Sequence, residues 1–125
     1  MDTIRFSANW NNKLAGNAFT TLRVHNPSRY VVGNQYIIDL NGKRMGVALL
    51  KEKRTITIAQ LNDFICYLDT GVNKQETIKI LRNIYHGIDF TDTKLDFCLF
   101  VYGSKQTTMR KPTSKQYQIR MPYKD

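Results

Sequence analysis

The sequence predicts an α+β fold, mainly β, from three observations. Asn41-Gly42 is the dipeptide best suited to a type I′ turn, and it joins the strand-like runs "QYIIDL" and "KRMGVALL". Two further strand-like runs, "AFTTLRV" and "KLDFCLFVYG", lie on either side of that hairpin. Between the hairpin and the last strand the apolar spacing becomes that of a helix, twice in succession. Strands, a helix pair and a closing strand argue for a curled antiparallel or mixed sheet with helices at one side.

The elements follow in order. "TIRFSANW" makes a short strand, and "NNKLAGN" a helical turn ended near Gly16. After the strand "AFTTLRV", the stretch "NPSRYVVGN" is a loop, because Pro27 has no N–H for a ladder and Gly33-Asn34 favours a turn. "KEKRTITI" adds a further strand beyond the hairpin. The first helix, in "TIAQLNDFICYLDTG", is expected to bury Leu61, Phe64, Ile65 and Leu68, with Gly71 just past its end. The second starts at Asn73, a good N-cap with Glu76 three residues on. Its stripe runs through Thr77, Ile78, Leu81, Ile84 and Tyr85 to Gly87, and its other face carries Lys79, Arg82 and His86.

Composition narrows the function. With 125 residues the chain makes one domain, and 42% hydrophobic with 23% charged residues is a globular balance. No apolar run is long enough to span a bilayer, and the start "MDTIRFSANW" lacks the features of a signal peptide, so a cytoplasmic location is expected. Cys66 and Cys98 each sit in an apolar segment without a CxxC pair, which points to reduced, buried thiols. Of the net charge of +9, residues 104–125 hold +5 and residues 1–103 hold +4. The domain is therefore drawn as 1–103, followed by a basic tail at 104–125 that reads as extended or disordered and is suited to phosphates.

Thr21 and Arg23 are two apart on a strand and so share a face, while Thr20 and Leu22 share the other. An Arg fork suits a phosphate or a base edge, and a Thr hydroxyl beside it donates or accepts. Together with Gly16 they fit G-x-x-x-x-T-x-R, followed by the "VG" turn at Val32-Gly33, a hairpin, the "LNDFICYLDTG" helix and a final apolar strand. In this the chain resembles the ASCH domain, a member of the superfamily named after the PUA RNA-binding module, over about residues 3–102. The resemblance implies a PUA-like pseudobarrel of five to six strands with two to three flanking helices. It also implies a cleft between barrel and helices, where the Thr and Arg sit and where members are proposed to bind RNA. A few members cleave RNA, and a small branch hydrolyses the amide of acylated cytidines.

That branch uses the Thr as nucleophile, with a Lys three residues before it and a carboxylate from just ahead of the second helix. Here Ala18 stands at the lysine's position, and Lys13 lies on the preceding segment. Asp69 falls near the carboxylate's position, and Asp63 is a second candidate. An unassisted Thr hydroxyl is a poor nucleophile, so the sequence favours binding over catalysis, with Thr21 and Asp69 as the candidate catalytic pair and negligible deacylation expected.

Elsewhere, Lys43 and Arg44 at the hairpin and Lys53 and Arg54 within "KEKR" are candidates for the rim of a positive groove. Tyr30 and Tyr36 stand there either as base-stacking rings or as core. Trp10 reads as a hydrophobic plug at one barrel end. His25, His86, Cys66 and Cys98 match no zinc spacing, so no metal and no cofactor are expected. The expectation is an RNA- or nucleotide-binding module whose ligand meets Thr20, Thr21, Arg23, Lys43, Arg44, Lys53, Arg54 and Asp69. An ASCH-type hydrolase, either ribonuclease or amidohydrolase, and a protein-partner module are the alternatives.

Overall fold

The computed structural model describes residues 1–87, 89 and 91–105, with backbone alone at 104 and 105. The basic tail lies outside the described residues apart from that backbone. Five strands form one mixed sheet: β1 (Asp2–Phe6), β2 (Ala18–Val24), β3 (Gln35–Leu40), β4 (Lys43–Thr57) and β5 (Lys94–Lys105). Their order across the sheet is β1-β3-β4-β5-β2. The β1–β3 pair is parallel and the other pairs are antiparallel. Helices α1 (Asp63–Asp69) and α2 (Lys74–Ile84), and short 3-10 turns at Trp10–Ala15 and Ile58–Gln60, complete an α+β, mainly β half-barrel.

The β3–β4 turn is type I′ in both residues, with φ of 51° at Asn41 and 86° at Gly42. The expected separate strand "KEKRTITI" is instead the second half of β4. A 15-residue strand this long has to bend, and its pairings show where. The register slips between Ile38 and Asp39 on β3, which leaves Met45 extra beside Gly46 at φ 150°. It slips twice more against β5, leaving Gly103 and then Lys51 extra. Such bulges raise local twist and curl a sheet. The curl is tight enough that Phe6 of β1 and Phe19 of β2, on the two edge strands, meet at 5.7 Å between ring centroids.

The bulge at Lys51 also inverts side-chain parity, since one inserted residue turns all later side chains to the other face. Before it, Ala48 and Leu50 point into the half-barrel. After it, Lys53 and Thr55 do, opposite Cys98 and Asp96. The inner face packs Ile4, Phe6, Phe19, Tyr30, Tyr36, Ile38, Leu50, Cys98 and Phe100. The outer face packs Leu22 and Leu95 against Leu61, Cys66 and Leu81 under the helices.

The first helix departs from expectation. A capping box between Thr57 and Gln60 closes one 3-10 turn, and Asn62 then caps a new helix by accepting from the Ile65 N–H. The interruption rotates the stripe, so Cys66 and Asp69 are buried while Phe64 is 74% and Leu68 55% exposed. In α2 the Asn73 cap accepts from the Glu76 N–H, and Thr77 and Leu81 face inward, as expected, but Ile84 is half exposed. The Thr77 and Thr70 hydroxyls are hydrogen-bonded at 2.8 Å, tying α2 to the end of α1.

The 25–34 loop crosses the end of the half-barrel on polar ties. Tyr36 donates its hydroxyl to the Arg29 carbonyl, Lys53 donates to the Tyr30 carbonyl, and Arg29 donates to the Thr3 carbonyl. Tyr30 and Tyr36 are thus core residues. The wholly buried Asp96 accepts from the Asn26 N–H and the Thr55 hydroxyl, and lies 2.8 Å from His25 Nδ1. Burial pushes its carboxyl pKa up, but the hydrogen bonds from His25, Asn26 and Thr55 outweigh this and hold it below 3.8. A depressed carboxyl pKa stabilises the fold above the unfolded value, and that contribution disappears as pH falls through the folded one. Asp96→Asn is therefore expected to cost about 1–3 kcal/mol at neutral pH and to flatten the loss of stability below the carboxylate range. Urea unfolding of both proteins across acid pH reads the difference.

Candidate functional site

β2 is an edge strand, so its open side joins the inner and outer faces of the sheet. There a cleft of about 520 Å³, counted to its open mouth, runs between the end of β1, the Trp10–Ala15 turn, β2 and the two helices. Phe6, Trp10 and Tyr85 give it apolar walls, and Lys13, Thr21, Arg23 and Asp69 give it charge and hydrogen-bonding capacity.

Local sequence explains how each polar group arrives. Thr21 and Arg23 share the inner face of β2, and Arg23 Nε donates to Thr21 Oγ1 at 3.0 Å. The Arg23 guanidinium also lies 4.5 Å from the Phe6 ring centroid. Among the described residues no carboxylate comes within ion-pairing distance of it. Thr20 points to the outer face, where its hydroxyl donates to Asp69 Oδ1 at 2.8 Å. Asp69 ends α1, and its side chain is 4% exposed.

An amine does reach the cleft, but beside Asp69 and Thr20 rather than at the position three before Thr21. Lys13, although on the preceding turn, brings Nζ to 3.0 Å from Asp69 Oδ1 with only 7% of its side chain exposed. Asn11 and Asn12 have φ of 58° and 51°, a left-handed kink that Asn tolerates. Asn11 packs against Gly71, where an added Cβ would lie 3.1 Å from Asn11 Oδ1, so the missing Cβ lets the turn approach the end of α1. Asn9 Oδ1 accepts from the Leu14 N–H, the Tyr102 hydroxyl donates to the Leu14 carbonyl, and Leu14 is wholly buried. Lys13 is thus fixed in place by its neighbours. Burial is the largest influence on its amine and lowers the pKa from 10.5. Arg23 nearby lowers it too, against the raising effect of Asp69.

The remaining expected residues disperse. Lys43 and Arg44 stay at the hairpin tip, exposed and off the cleft. Arg54 points to the outer face and pairs with Glu52 at 2.7 Å, whereas Lys53 turns inward to the Tyr30 carbonyl. They form no common rim. Asp63 caps α2 through the Lys74 N–H, so it is not the cleft carboxylate. Trp10 lines the cleft rather than plugging a barrel end. Cys66 and Cys98 are free and buried in different core clusters, with burial pushing the Cys98 thiol up to about 12. Among the described residues no three of His, Cys, Asp and Glu gather as metal ligands.

No family model matches the chain, and no curated protein matches it in sequence. Among solved structures, it is similar to a protein of Enterococcus faecalis V583 described by the family model DUF984. The TM-score is 0.58 and the identity 11%, over 82% of this chain and 74% of that one. The likeness is one of fold: the same small β-rich scaffold built from a very different sequence.

The Lys13–Asp69 pair is open to a direct test. Removing one partner of a buried ion pair strands the other, whereas removing both relieves it. Asp69→Asn is expected to lower stability by about 3–5 kcal/mol, and the double change Lys13→Met with Asp69→Asn to recover part of that loss. Urea unfolding of the two single variants and the double one gives the coupling.

Proposed function

We propose that this chain is an ASCH-type, PUA-like module that binds RNA or a nucleotide-like ligand in the cleft at the edge of β2. One observation carries the reading. Arg23 is held by Thr21 and the Phe6 ring, faces a cleft with aromatic walls, and has no carboxylate of its own among the described residues. A guanidinium so placed is preorganised for a phosphate or a base edge, and the aromatic walls suit a planar partner. The net charge of +9 adds long-range attraction for polyanions. Each phosphate neutralised releases counterions, so RNA affinity is expected to fall steeply with salt. Removing residues 104–125 weakens binding across all sequences, while Arg23→Ala changes which RNA is preferred. Gel-shift titrations with single-stranded and structured RNA at several salt concentrations check this, and the absence of binding at low salt overturns it.

Lys13 supports a second reading, hydrolysis of an acylated nucleoside. The cleft holds Thr21, Asp69 and an amine of lowered pKa, the three group types that the amidohydrolase branch uses, though the amine comes from a different element. Under this reading purified protein deacylates acylated cytidines, and both Thr21→Ala and Lys13→Met abolish turnover. Chromatographic separation of product nucleoside decides it: no turnover in the unaltered chain leaves binding alone.

A further inference from the structure

Lys13 and Arg23 lie over one ring, 5.6 Å and 4.5 Å from the Phe6 centroid, and this crowding of two cations suggests a use that neither reading above includes. A buried lysine beside a second cation disfavours its ammonium form, and the neutral amine is a nucleophile toward carbonyl carbon. Its neighbours are complementary. Asp69 is hydrogen-bonded to the amine at 3.0 Å, so it can take up and return a proton. Arg23 already has its Nε engaged by Thr21 and lacks a carboxylate partner among the described residues, so the rest of its fork can hold an anion. Trp10 and Tyr85 bound the space around them.

We propose that Lys13 is an imine-forming residue whose ligand class is a small aldehyde or ketone carrying one carboxylate or phosphate, with the anion on Arg23. The balance is simple. The neutral amine attacks the carbonyl carbon, a C–N bond forms, and the C=O π pair moves to oxygen, which becomes a hydroxyl. Asp69 carries both N–H protons to that oxygen in turn, the first making it the hydroxyl and the second letting it leave as water as the C=N bond forms. Amine and carbonyl become imine and water, with no oxidant or reductant involved. The ion pair with Asp69 opposes the reaction by favouring the ammonium, so imine formation rises with pH through the lowered pKa of Lys13. Ordinary surface lysines respond only at higher pH.

The test uses the full chain with glyoxylate, an aldehyde bearing one carboxylate, and traps any imine with cyanoborohydride near neutral pH before peptide mapping by mass spectrometry. The expected result is an adduct concentrated on Lys13 and lost in Lys13→Arg. Arg23→Gln removes the second cation and so dulls the amine toward both aldehydes, but only glyoxylate also loses its anion contact, so glyoxylate labelling is expected to fall about tenfold further than labelling by neutral propanal, the effect of one charge-assisted contact. Adduct spread evenly over exposed lysines, or equal sensitivity of both aldehydes to Arg23→Gln, overturns the proposal. The mapping on the unaltered chain needs no variant to fold. Because it is read without RNA, its failure leaves the gel-shift result untouched, and failure of RNA binding leaves the labelling result standing.

Discussion

The pairing of β4 with β5 is the constraint on which the rest of the molecule depends. These strands sit in the middle of the sheet, and β4 is long enough to pair with β3 at its start and with β5 along most of its length. A flat sheet of this order would put β1 and β2 at opposite ends. The slips at Gly103 and Lys51 supply extra twist where the two strands cross, and the edges come round until Phe6 and Phe19 touch. What remains is a half-barrel with an unzipped side. The cleft is that side: its polar groups come from the two edge strands and from what packs beside them. No pocket had to be added to the scaffold, because incomplete closure produced one.

Asp69 sets the electrostatics of that opening. A nearly buried carboxylate is unfavourable unless its oxygens are satisfied, and here Oδ1 alone accepts from both Thr20 and Lys13. Two consecutive elements, the 3-10 turn and β2, are thereby joined at one atom to the end of α1, some way along the chain. The same contact explains why Lys13 tolerates burial at all. Its charge has a partner, while burial, and after it Arg23, lower the pKa of the amine. Stability and shifted proton affinity are drawn from one arrangement, as is usual where ionisable groups are held out of water.

Much of the fold was legible because its signals are local. Asn41-Gly42 names its own turn type, Asn73 with Glu76 names a helix start, and "AFTTLRV" carries the β-branched content of a strand. The Thr21–Arg23 pairing followed from strand parity alone. The misreadings have one non-local and one local cause. Parity in "KEKR" depends on the bulge at Lys51, which is stabilised by the partner strand and leaves no residue signature in the lysine itself. Hence Lys53 and Arg54, adjacent in sequence, serve opposite faces and form no common basic rim among the described residues. Phe64 and Leu68 fit a helical stripe perfectly well, but Asn62 restarts the helix and turns that stripe to solvent. The one available signal was Asn62 itself, a strong N-cap placed inside the supposed helix.

Lys13 shows a further limit. A motif specifies where an amine stands along a strand, but chemistry requires only where it stands in space. The resemblance expects an amine on β2, where this chain has Ala18, and a kinked turn with two asparagines at positive φ brings Lys13 to the cleft from outside that pattern. Nothing in a fixed spacing registers such an exchange, because the deciding contact is between Asn11 and Gly71, 60 residues apart. The two positions also differ chemically. An amine fixed on the strand keeps a constant relation to the Thr hydroxyl beside it, whereas one on a turn is placed by the packing of that turn and by the carboxylate it binds. Lys13 is therefore positioned by the packing of its turn against Gly71 together with Asp69, and only through these relative to β2. The electrostatics of this cleft consequently turn on Asp69 more than they would where the lysine shared a strand with the threonine.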